Sequence, residues 1–250
     1  MFLKKLIPTH ARLNELWWHI KRSLLPPVCL LCHHFLDEPD PICKACQNDL
    51  PKVPPYCLQC AEALPSTLID AYICGQCLKN PPPFDRTFVL YPYETPIPHM
   101  ITQLKFHGNF KYAHFLSMQM ISKIKQDWYE NQALPDLLLP VPLHPQRLIK
   151  RGFNQALELA KPVAKAINRP LDLYGVTRIK PTIAQSGLSK VVRKQNITGA
   201  FMSQQMYHGK HIAIIDDVAT TLSTVTEISH LLKQQGANMI HIWCAARRMI

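Results

Sequence analysis

Residues 211–224 read His-Ile-Ala-Ile-Ile-Asp-Asp-Val-Ala-Thr-Thr-Leu-Ser-Thr, and this stretch indicates an α/β fold. Apolar, mostly β-branched residues precede the two acids, as in a strand that is buried on both faces and reaches the edge of a parallel sheet. The pattern predicts that the strand ends at the acids. Apolar positions at helical spacing then predict a helix over 223–235, and a second strand follows over 239–246. Ligands of such βαβ units bind beyond the carboxyl ends of the strands.

The turn after this strand combines hydroxyl groups with two carboxylates. Its hydroxyls and the unpaired amides at a helix N-terminus make a nest for a phosphate, because the positive end of the helix dipole faces the anion. Asp216 and Asp217 suit ribose hydroxyls or a divalent cation beside that phosphate, because ionised carboxylates are acceptors and ligands of hard metals. Alternatively, Asp217 caps the turn and Asp216 is a solvated strand end. The predicted phosphate loop consists of Ala219, Thr220, Thr221, Leu222, Ser223 and Thr224.

An apolar strand, two aspartates and a threonine-rich loop resemble the phosphoribosyl pyrophosphate signature of type I phosphoribosyltransferases. The resemblance implies that the acids hold the ribose hydroxyls, with Mg²⁺ as a further cofactor, and that the loop holds the 5′-phosphate. That family usually has glycine where this chain has Leu222. A Cβ at this position either crowds the phosphate or demands a backbone conformation that only glycine adopts freely. Binding can therefore survive where catalysis is lost.

The composition indicates a basic protein that binds polyanions. Lys and Arg total 28 against 17 Asp and Glu, which gives a formal net charge of +11. Such a surface favours nucleic acid, phosphorylated metabolites or anionic membrane. Residues 1–27 contain no apolar core of signal-peptide length, and we find no membrane-spanning run, so we expect a cytoplasmic protein. Apolar residues within 13–24 line one face of a helix, which lies against the inner membrane, a partner or the protein itself.

Eight of the nine cysteines form four Cys-x-x-Cys pairs. Each pair presents two thiolates, and two pairs complete the tetrahedral shell of one Zn²⁺, so we expect two zinc ions. A disulfide framework is the alternative, but it requires an oxidising compartment and we find no export signal. The spacing allows sequential or interleaved pairing. Sequential pairing assigns Cys29, Cys32, Cys43 and Cys46 to one ion and Cys57, Cys60, Cys74 and Cys77 to the other.

Three prolines at 81–83 mark a domain boundary, because they lack N–H donors and hold the chain extended. We therefore predict an amphipathic segment over 1–27, a double zinc ribbon over 28–80 and an α/β domain over 81–250.

Two basic stretches of the last domain are candidates for anion binding. Arg147 and Arg151 can bind pyrophosphate bidentately while Gly152 lets the backbone come close. The alternative is a solvated basic loop that caps the next helix. Farther along, 178–201 is long, polar and basic, and is either a lid or a disordered linker. In a lid, cations such as Lys190 and Arg193 would cover a phosphorylated substrate.

The order of these pieces resembles the ComF family of competence proteins over most of the chain. The shared features are paired Cys knuckles, Leu-Lys-Phe-x-Gly, Pro-x-Pro-Leu-His-x-x-Arg, Arg-Gly-Phe-Asn-Gln and the Asp-Asp loop. The resemblance implies a double zinc ribbon joined to a type I phosphoribosyltransferase-like parallel sheet flanked by helices. It also implies a role in DNA uptake during natural transformation, in which the protein handles incoming single-stranded DNA.

Three hypotheses follow. In the first, the basic face holds single-stranded DNA, with phosphoribosyl pyrophosphate as ligand or regulator, and aromatic residues beside cations, as at Lys105-Phe106 and Arg151-Gly-Phe153, stack on bases. In the second, the chain is an active phosphoribosyltransferase that acts on a nucleobase or an amine, against which Leu222 counts. In the third, it is a zinc-ribbon adaptor to DNA-translocation machinery at the inner membrane.

Overall fold

The computed structural model describes residues 27–36, 40–65, 72–181 and 197–249. They belong to two compact units, Met1–Asp49 and Leu50–Ile250. The division falls between the first and second groups of four cysteines, whereas the predicted domain bounds keep both groups together in 28–80. The second group therefore shares a compact unit with the sheet.

The described residues contain short and long helices and six strands. In the first unit, α1 spans Lys44–Asn48. The second unit contains, in chain order, α2 (Gly75–Lys79), β1 (Arg86–Pro92), α3 (Ile97–His107), α4 (Phe110–Lys123), a π-helical turn (Ile124–Trp128), β2 (Leu137–Pro140), α5 (Pro145–Arg151), α6 (Gln155–Ile167), β3 (Val176–Arg178), β4 (Phe201–Ser203), β5 (His211–Ala219), α7 (Ser223–Gln234) and β6 (Met239–Arg247).

Four strands form a parallel sheet in the order β1-β6-β5-β2. The central strands β5 and β6 are apolar on both faces because both faces are covered. On one face, Ile212 and Ile214 belong to the same core cluster as Val225 and Ile228 of α7. On the other, Trp243 packs against aromatic residues of the segment after α4. A separate antiparallel pair consists of β3 and β4.

The second cysteine ribbon is bonded directly to this sheet. The backbone N–H of Thr87 on β1 donates a 2.8 Å hydrogen bond to the carbonyl of Leu58, and Ala61 is fully buried in the core cluster. On the helical side, the hydroxyl of Ser117 on α4 donates to the carbonyl of Leu159 on α6 at 3.0 Å, which joins these two helices. The predicted α/β architecture, a parallel sheet flanked by helices and preceded by cysteine ribbons, is confirmed.

Candidate functional site

Both predicted acids lie on β5 just beyond the point where its pairing with β2 ends. Our prediction that the strand ends at the acids is wrong, because β5 continues to Ala219. On one side β2 stops at Pro140, opposite Ile215. On the other side β6 keeps pairing until Arg247 lies opposite Ala219, so the ladder runs past the acids. The two carboxyls thus lie beyond the end of β2 although they are inside a strand.

Asp217 is buried and held by a chain of polar side chains. The residue is 2% exposed, its Oδ2 pairs with Nζ of Lys105, and its Oδ1 accepts a 3.2 Å hydrogen bond from Nε2 of Gln155. Arg151 donates in turn to Oε1 of Gln155. Burial by itself raises the pKa of Asp217, but Lys105 and these hydrogen bonds outweigh it and leave the pKa lowered. Asp217 is therefore an ionised carboxylate whose two oxygens are already engaged.

Asp216 is the partly exposed member of the pair. Its Oδ1 accepts a 2.9 Å hydrogen bond from the backbone N–H of Asp217. Burial and the charge of Asp217 raise the pKa of Asp216 well above its usual value. Neighbouring carboxyls whose pKa values shift in opposite directions divide into one that holds a proton and one that stays ionised. Asp216 is consequently the acid that can exchange a proton or a hydrogen bond with a ligand.

The predicted phosphate loop turns directly into α7, and Leu222 occupies its unusual position. Leu222 has φ +60° and ψ +3°, the left-handed conformation that glycine adopts without strain. Of our two expectations for this residue, the glycine-like backbone is therefore present. The Leu222 side chain is 8% exposed and packs in the core cluster with Ala219 and Val225. Within the loop, the hydroxyls of Thr221 and Ser223 lie 2.8 Å apart.

Arg247, which the sequence analysis missed, ties this loop to the second cysteine ribbon. The side chain is 4% exposed at the end of β6. Its Nη1 donates to the carbonyl of Ala219 at 3.2 Å and to that of Thr220. Its Nε donates to the carbonyl of Cys60 at 3.1 Å, and Nη2 to a carboxylate oxygen of Glu62 at 3.1 Å. One buried guanidinium thus fixes the start of the loop against a predicted zinc ligand.

The basic stretch after β2 forms a short helix, α5, that the sequence analysis did not predict. His144 caps its start, since Nδ1 accepts a 3.3 Å hydrogen bond from the N–H of Gln146, and Pro145 fits the first helical position. Gly152 ends the helix with φ +82°, a conformation that favours glycine. The role of Gly152 here is to stop α5 immediately after Arg151.

The acids, the loop and the arginines line one cleft of about 1040 Å³. Arg147 and Arg151 enter it from α5, and Arg178 enters from the end of β3. Burial and the charge of Arg147 together lower the pKa of Arg178 to about 10, with Asp216 opposing both. The pKa of Arg151 is lowered by burial, with Asp217 opposing and Arg147 contributing. Because the arginines are close enough to repel one another, an anion in the cleft would be stabilised.

Two predicted cations, Lys190 and Arg193, lie outside the described residues. Among the described residues, the cleft contains three cations and polar groups that the sequence did not assign to it, namely Lys105, Gln155 and Arg178. Lys105 and Gln155 belong to the Leu-Lys-Phe-x-Gly and Arg-Gly-Phe-Asn-Gln motifs. Their place in those motifs was the one available signal, because their contacts with Asp217 join elements far apart in the chain.

The eight paired cysteines form two groups of the kind that zinc requires. The four Sγ atoms of each group lie within 4.8 Å of one another. Representative distances are 3.8 Å from Cys32 to Cys43 and 3.7 Å from Cys60 to Cys74. Four sulfurs at tetrahedral Zn–S distances of ~2.3 Å lie about 3.8 Å apart, so the groups fit the ion. The sequential pairing is confirmed, and all nine cysteines are free thiols rather than disulfides.

Backbone amides prepare the first cysteine of each group to act as a thiolate. The N–H of Cys43 donates to Sγ of Cys29 at 3.4 Å, and the N–H of Cys74 to Sγ of Cys57 at 3.2 Å. Burial raises the pKa of Cys29, but such amide donors outweigh it and lower the pKa to about 6. The same opposing causes leave the pKa of Cys57 lowered. Thiolates are the form that binds zinc, so these amides favour metal binding.

Comparison with known proteins identifies the cysteine-rich region and the family of this chain. A model of the double zinc ribbon domain matches residues 20–78. The chain is 37% identical over 177 residues to the DNA utilization protein YhgH of Escherichia coli (strain K12), covering 70% of this chain and 78% of the relative. The chain belongs to the ComF family. This ComF-family chain is also 34% identical over 178 residues to Competence protein F of Haemophilus influenzae, covering 70% of this chain and 78% of that protein.

The solved structures that this ComF-family chain resembles are phosphoribosyltransferases. The purine phosphoribosyltransferase of Pyrococcus horikoshii is 14% identical, with 54% of this chain and 71% of that chain covered and a TM-score of 0.34. The glutamine phosphoribosylpyrophosphate amidotransferase of B. subtilis is 18% identical, with coverages of 53% and 26% and a TM-score of 0.33. At these TM-scores the likeness carries no argument about activity.

A search for membrane spans in the described parts of this ComF-family chain finds no helix with the length and apolarity to cross a bilayer. The amphipathic face predicted within 13–24 lies outside the described residues.

Proposed function

We propose that this chain serves DNA uptake by binding single-stranded DNA in the cleft between α5 and the phosphate loop. The observation that carries the proposal is the convergence of Arg147, Arg151 and Arg178 beside the hydroxyl-rich loop in one cleft. Arginine binds phosphate bidentately, and contacts to the phosphate backbone supply most of the affinity for nucleic acid without reading its sequence. Relatives named as DNA utilization and competence proteins support the same role.

Phosphoribosyl pyrophosphate is the second ligand that we propose for this cleft. The loop at the N-terminus of α7 suits its 5′-phosphate, and Asp216 suits its ribose hydroxyls, since this carboxyl faces the cleft while Asp217 is engaged by Lys105. Mg²⁺ would accompany the pyrophosphate, a suggestion that rests on the resemblance to phosphoribosyltransferases. As a ligand, phosphoribosyl pyrophosphate would compete with DNA for the same arginines.

An active phosphoribosyltransferase is the alternative function. The observation in its favour is the pair of opposite pKa shifts at Asp216 and Asp217, which provides one protonated and one ionised carboxyl near the loop. The left-handed backbone at Leu222 also gives the loop a conformation that glycine would adopt freely. We prefer DNA binding because the relatives are named as DNA utilization and competence proteins.

One titration distinguishes these functions. Fluorescence anisotropy of a labelled oligothymidine at low salt measures DNA binding, and unlabelled phosphoribosyl pyrophosphate serves as competitor. Asp216→Asn should leave DNA binding unchanged, because the raised pKa of Asp216 already keeps this carboxyl protonated and uncharged. It should weaken phosphoribosyl pyrophosphate, because an amide nitrogen replaces one of the oxygens that accept from the ribose hydroxyls. Asp217 is left intact, since its loss would strand Lys105 as an unpaired cation.

The result decides between the candidates. DNA binding that phosphoribosyl pyrophosphate displaces supports the first proposal. Folded, zinc-loaded protein that fails to bind the oligonucleotide would rule it out, and release of pyrophosphate in the presence of nucleobases or amines would then identify a transferase.

We also propose that the protein works in the cytoplasm next to DNA-translocation machinery at the inner membrane. The motivation is that an imported single strand first meets cytoplasmic proteins at that machinery, and that the 13–24 segment has an amphipathic pattern. Vesicle flotation with anionic lipid tests the membrane contact. A chain that lacks residues 1–27 should lose flotation, and equal flotation of both chains would contradict this placement.

A further inference from the structure

Three phenylalanines line the cleft, two of them exposed and the third half-buried. Phe106 near the end of α3 is 72% exposed and Phe110 at the start of α4 is 48% exposed. Phe153, immediately after α5, packs edge to face on Phe110 with ring centroids 4.9 Å apart and an angle of 69° between the ring planes. All three belong to the cleft lining. We call them the aromatic shelf.

The shelf is held in place by buried neighbours rather than by burial of its own rings. Leu104 on α3 and Tyr112 on α4 are 0% and 3% exposed and anchor the two helices to the core. Between the helices, Gly108 has φ +62° and turns the chain sharply. A Cβ built on Gly108 would lie 3.9 Å from Phe153, so the turn packs against the third ring. The exposed rings are thus part of a defined surface, and their exposure to water is a cost that a ligand would remove.

Positive charges border this shelf on the side of the cleft. The guanidinium carbon of Arg151 lies 5.7 Å from the centre of the Phe106 ring. Lys105, the residue before Phe106, reaches into the cleft to Asp217. Exposed Lys150 lines the cleft as well. Flat rings beside cations match a ligand with flat rings and phosphates, whereas an apolar protein partner would gain nothing from these charges.

We propose that the aromatic shelf stacks a nucleobase of the bound single strand, while the phosphates next to that base lie against Arg151 and Arg147. The inference rests on the proposed DNA binding and adds its mode of base recognition. Stacking tolerates any base, because every base has a π-face, so the shelf would raise affinity without imposing a sequence. It also gives a reason for single strands in particular, since the bases of a duplex are already stacked on each other.

Two oligonucleotides of equal length test the proposal. One carries thymine bases and the other carries abasic sites, so both present the same number of phosphates. The intact chain should bind the base-bearing strand about 5- to 100-fold more tightly, the range expected for stacking. Phe106→Ala and Phe110→Ala should each reduce this ratio, and Phe106→Trp should retain it. Met118→Ala is the matched control, because Met118 is 48% exposed on α4 but does not line the cleft.

Each outcome has a definite meaning. Tight binding of both strands with a ratio near one, unchanged in the alanine variants, would overturn the stacking inference and leave DNA binding through phosphates intact. Failure of both strands to bind would overturn the proposed function itself. Displacement of the thymine strand by free thymidine at a concentration similar to that of the oligonucleotide would assign the shelf to a small-molecule base, and would also overturn the inference.

Discussion

Leu222 shows how one residue keeps a glycine-like backbone without being glycine. A left-handed conformation costs a non-glycine residue roughly 1–2 kcal/mol, while burial of a leucine side chain contributes about 1.5–3 kcal/mol. With φ +60° and an exposed fraction of 8%, Leu222 shows both effects at once. Core packing therefore offsets the strain, and the loop retains its shape.

Because strain and packing oppose each other at Leu222, we expect the glycine variant at this position to be more stable than the alanine variant. Leu222→Ala loses the packing but keeps the strain, so it should destabilise the protein by about 2–4 kcal/mol. Leu222→Gly loses the same packing and is relieved of the strain, so it should be the more stable variant by about 1 kcal/mol. Urea unfolding curves measure this difference. At positions with negative φ, a glycine variant is less stable than the alanine variant. If Leu222→Gly is also less stable than Leu222→Ala, then φ at position 222 is negative in solution.

A pair of histidines near the amino ends of β5 and β6 indicates that the stability of the fold decreases in acid. Nε2 of His211 lies 3.0 Å from Nδ1 of His241, and the Tyr129 hydroxyl lies 2.5 Å from the same Nδ1. Burial, and after it the charge of His211, lower the pKa of His241 to about 3. Burial lowers the pKa of His211 as well, with Asp136 opposing. Both rings are therefore held neutral at a pH where the unfolded chain would protonate them.

The sign of the pH dependence follows from these lowered pKa values. Above about pH 6.5 the histidines are neutral in both states and contribute no pH dependence. As the pH falls below that value, the unfolded chain binds protons at these histidines and the folded protein does not. The free energy of unfolding therefore decreases by about 1.4 kcal/mol per pH unit for each such proton. Between about pH 6.5 and pH 5, His241→Gln should flatten the slope by one proton. An unchanged slope would mean that His241 is protonated in the fold.

At the scale of single residues, the sequence predicted the chemical role of a residue more accurately than it predicted which residues are in contact. The departure of Leu222 from the glycine of related loops could be seen directly, because it required only local comparison. The ion pair between Lys105 and Asp217 could not, because it joins the end of α3 to the middle of β5. The same limit applies to Arg247, whose five acceptor residues lie toward both ends of the second unit's sequence.

At the scale of elements, periodicity fixed the type of element but not where each one ends. The strand at the acids was predicted too short, because its end depends on β6, which pairs with it as far as Ala219. Helix α5 was missed because its start relies on a histidine cap and its seven residues are too few for apolar periodicity. The cysteine ribbons were the opposite case. Their spacing alone gave all eight ligands, since a tetrahedral metal requires little besides four thiolates. The spacing left the pairing open, and the structure groups the cysteines sequentially.

The contacts of Arg247 predict that the second zinc site, and not the first, supports the phosphate loop. Purified protein should contain about two Zn²⁺ per chain, and Cys29→Ser or Cys74→Ser should each lower this to about one. Hydrogen exchange of the amides in 219–224 should accelerate in Cys74→Ser, because Arg247 loses its fixed partner near Cys60. Arg247→Lys should have the same effect with both zinc ions retained, since lysine cannot reproduce the fork of donors.

The first zinc site supplies the control for this experiment. Cys29 belongs to the other compact unit, so Cys29→Ser should leave hydrogen exchange in 219–224 unchanged. Equal acceleration in both cysteine variants would indicate general unfolding on loss of metal, and no acceleration in Arg247→Lys would show that the guanidinium does not support the loop.

At the scale of the whole molecule, the net charge of +11 has two interpretations that the sequence could not separate. A basic protein attracts polyanions over its entire surface, whereas a binding cleft concentrates the effect in a few residues. The structure brings Arg151 into the cleft, between Gln155 and the ring of Phe106. Arg169, by contrast, is exposed and does not line the cleft. Arg151 and Arg169 carry the same charge, one inside the cleft and one outside it. Replacing each of them therefore distinguishes binding in the cleft from attraction by the whole surface.

Salt dependence of DNA binding makes this comparison quantitative. Each phosphate that the protein neutralises on a single strand releases counterions and contributes about −0.7 to the slope of log affinity against log salt concentration. If the cleft holds the strand, Arg151→Ala should make the slope shallower by about 0.7 and Arg169→Ala should leave it unchanged. Anisotropy titrations of a labelled oligothymidine at several salt concentrations give both slopes. Equal changes of slope in the two variants would mean that the overall charge of the molecule attracts the strand, and that the cleft is not the DNA-binding site.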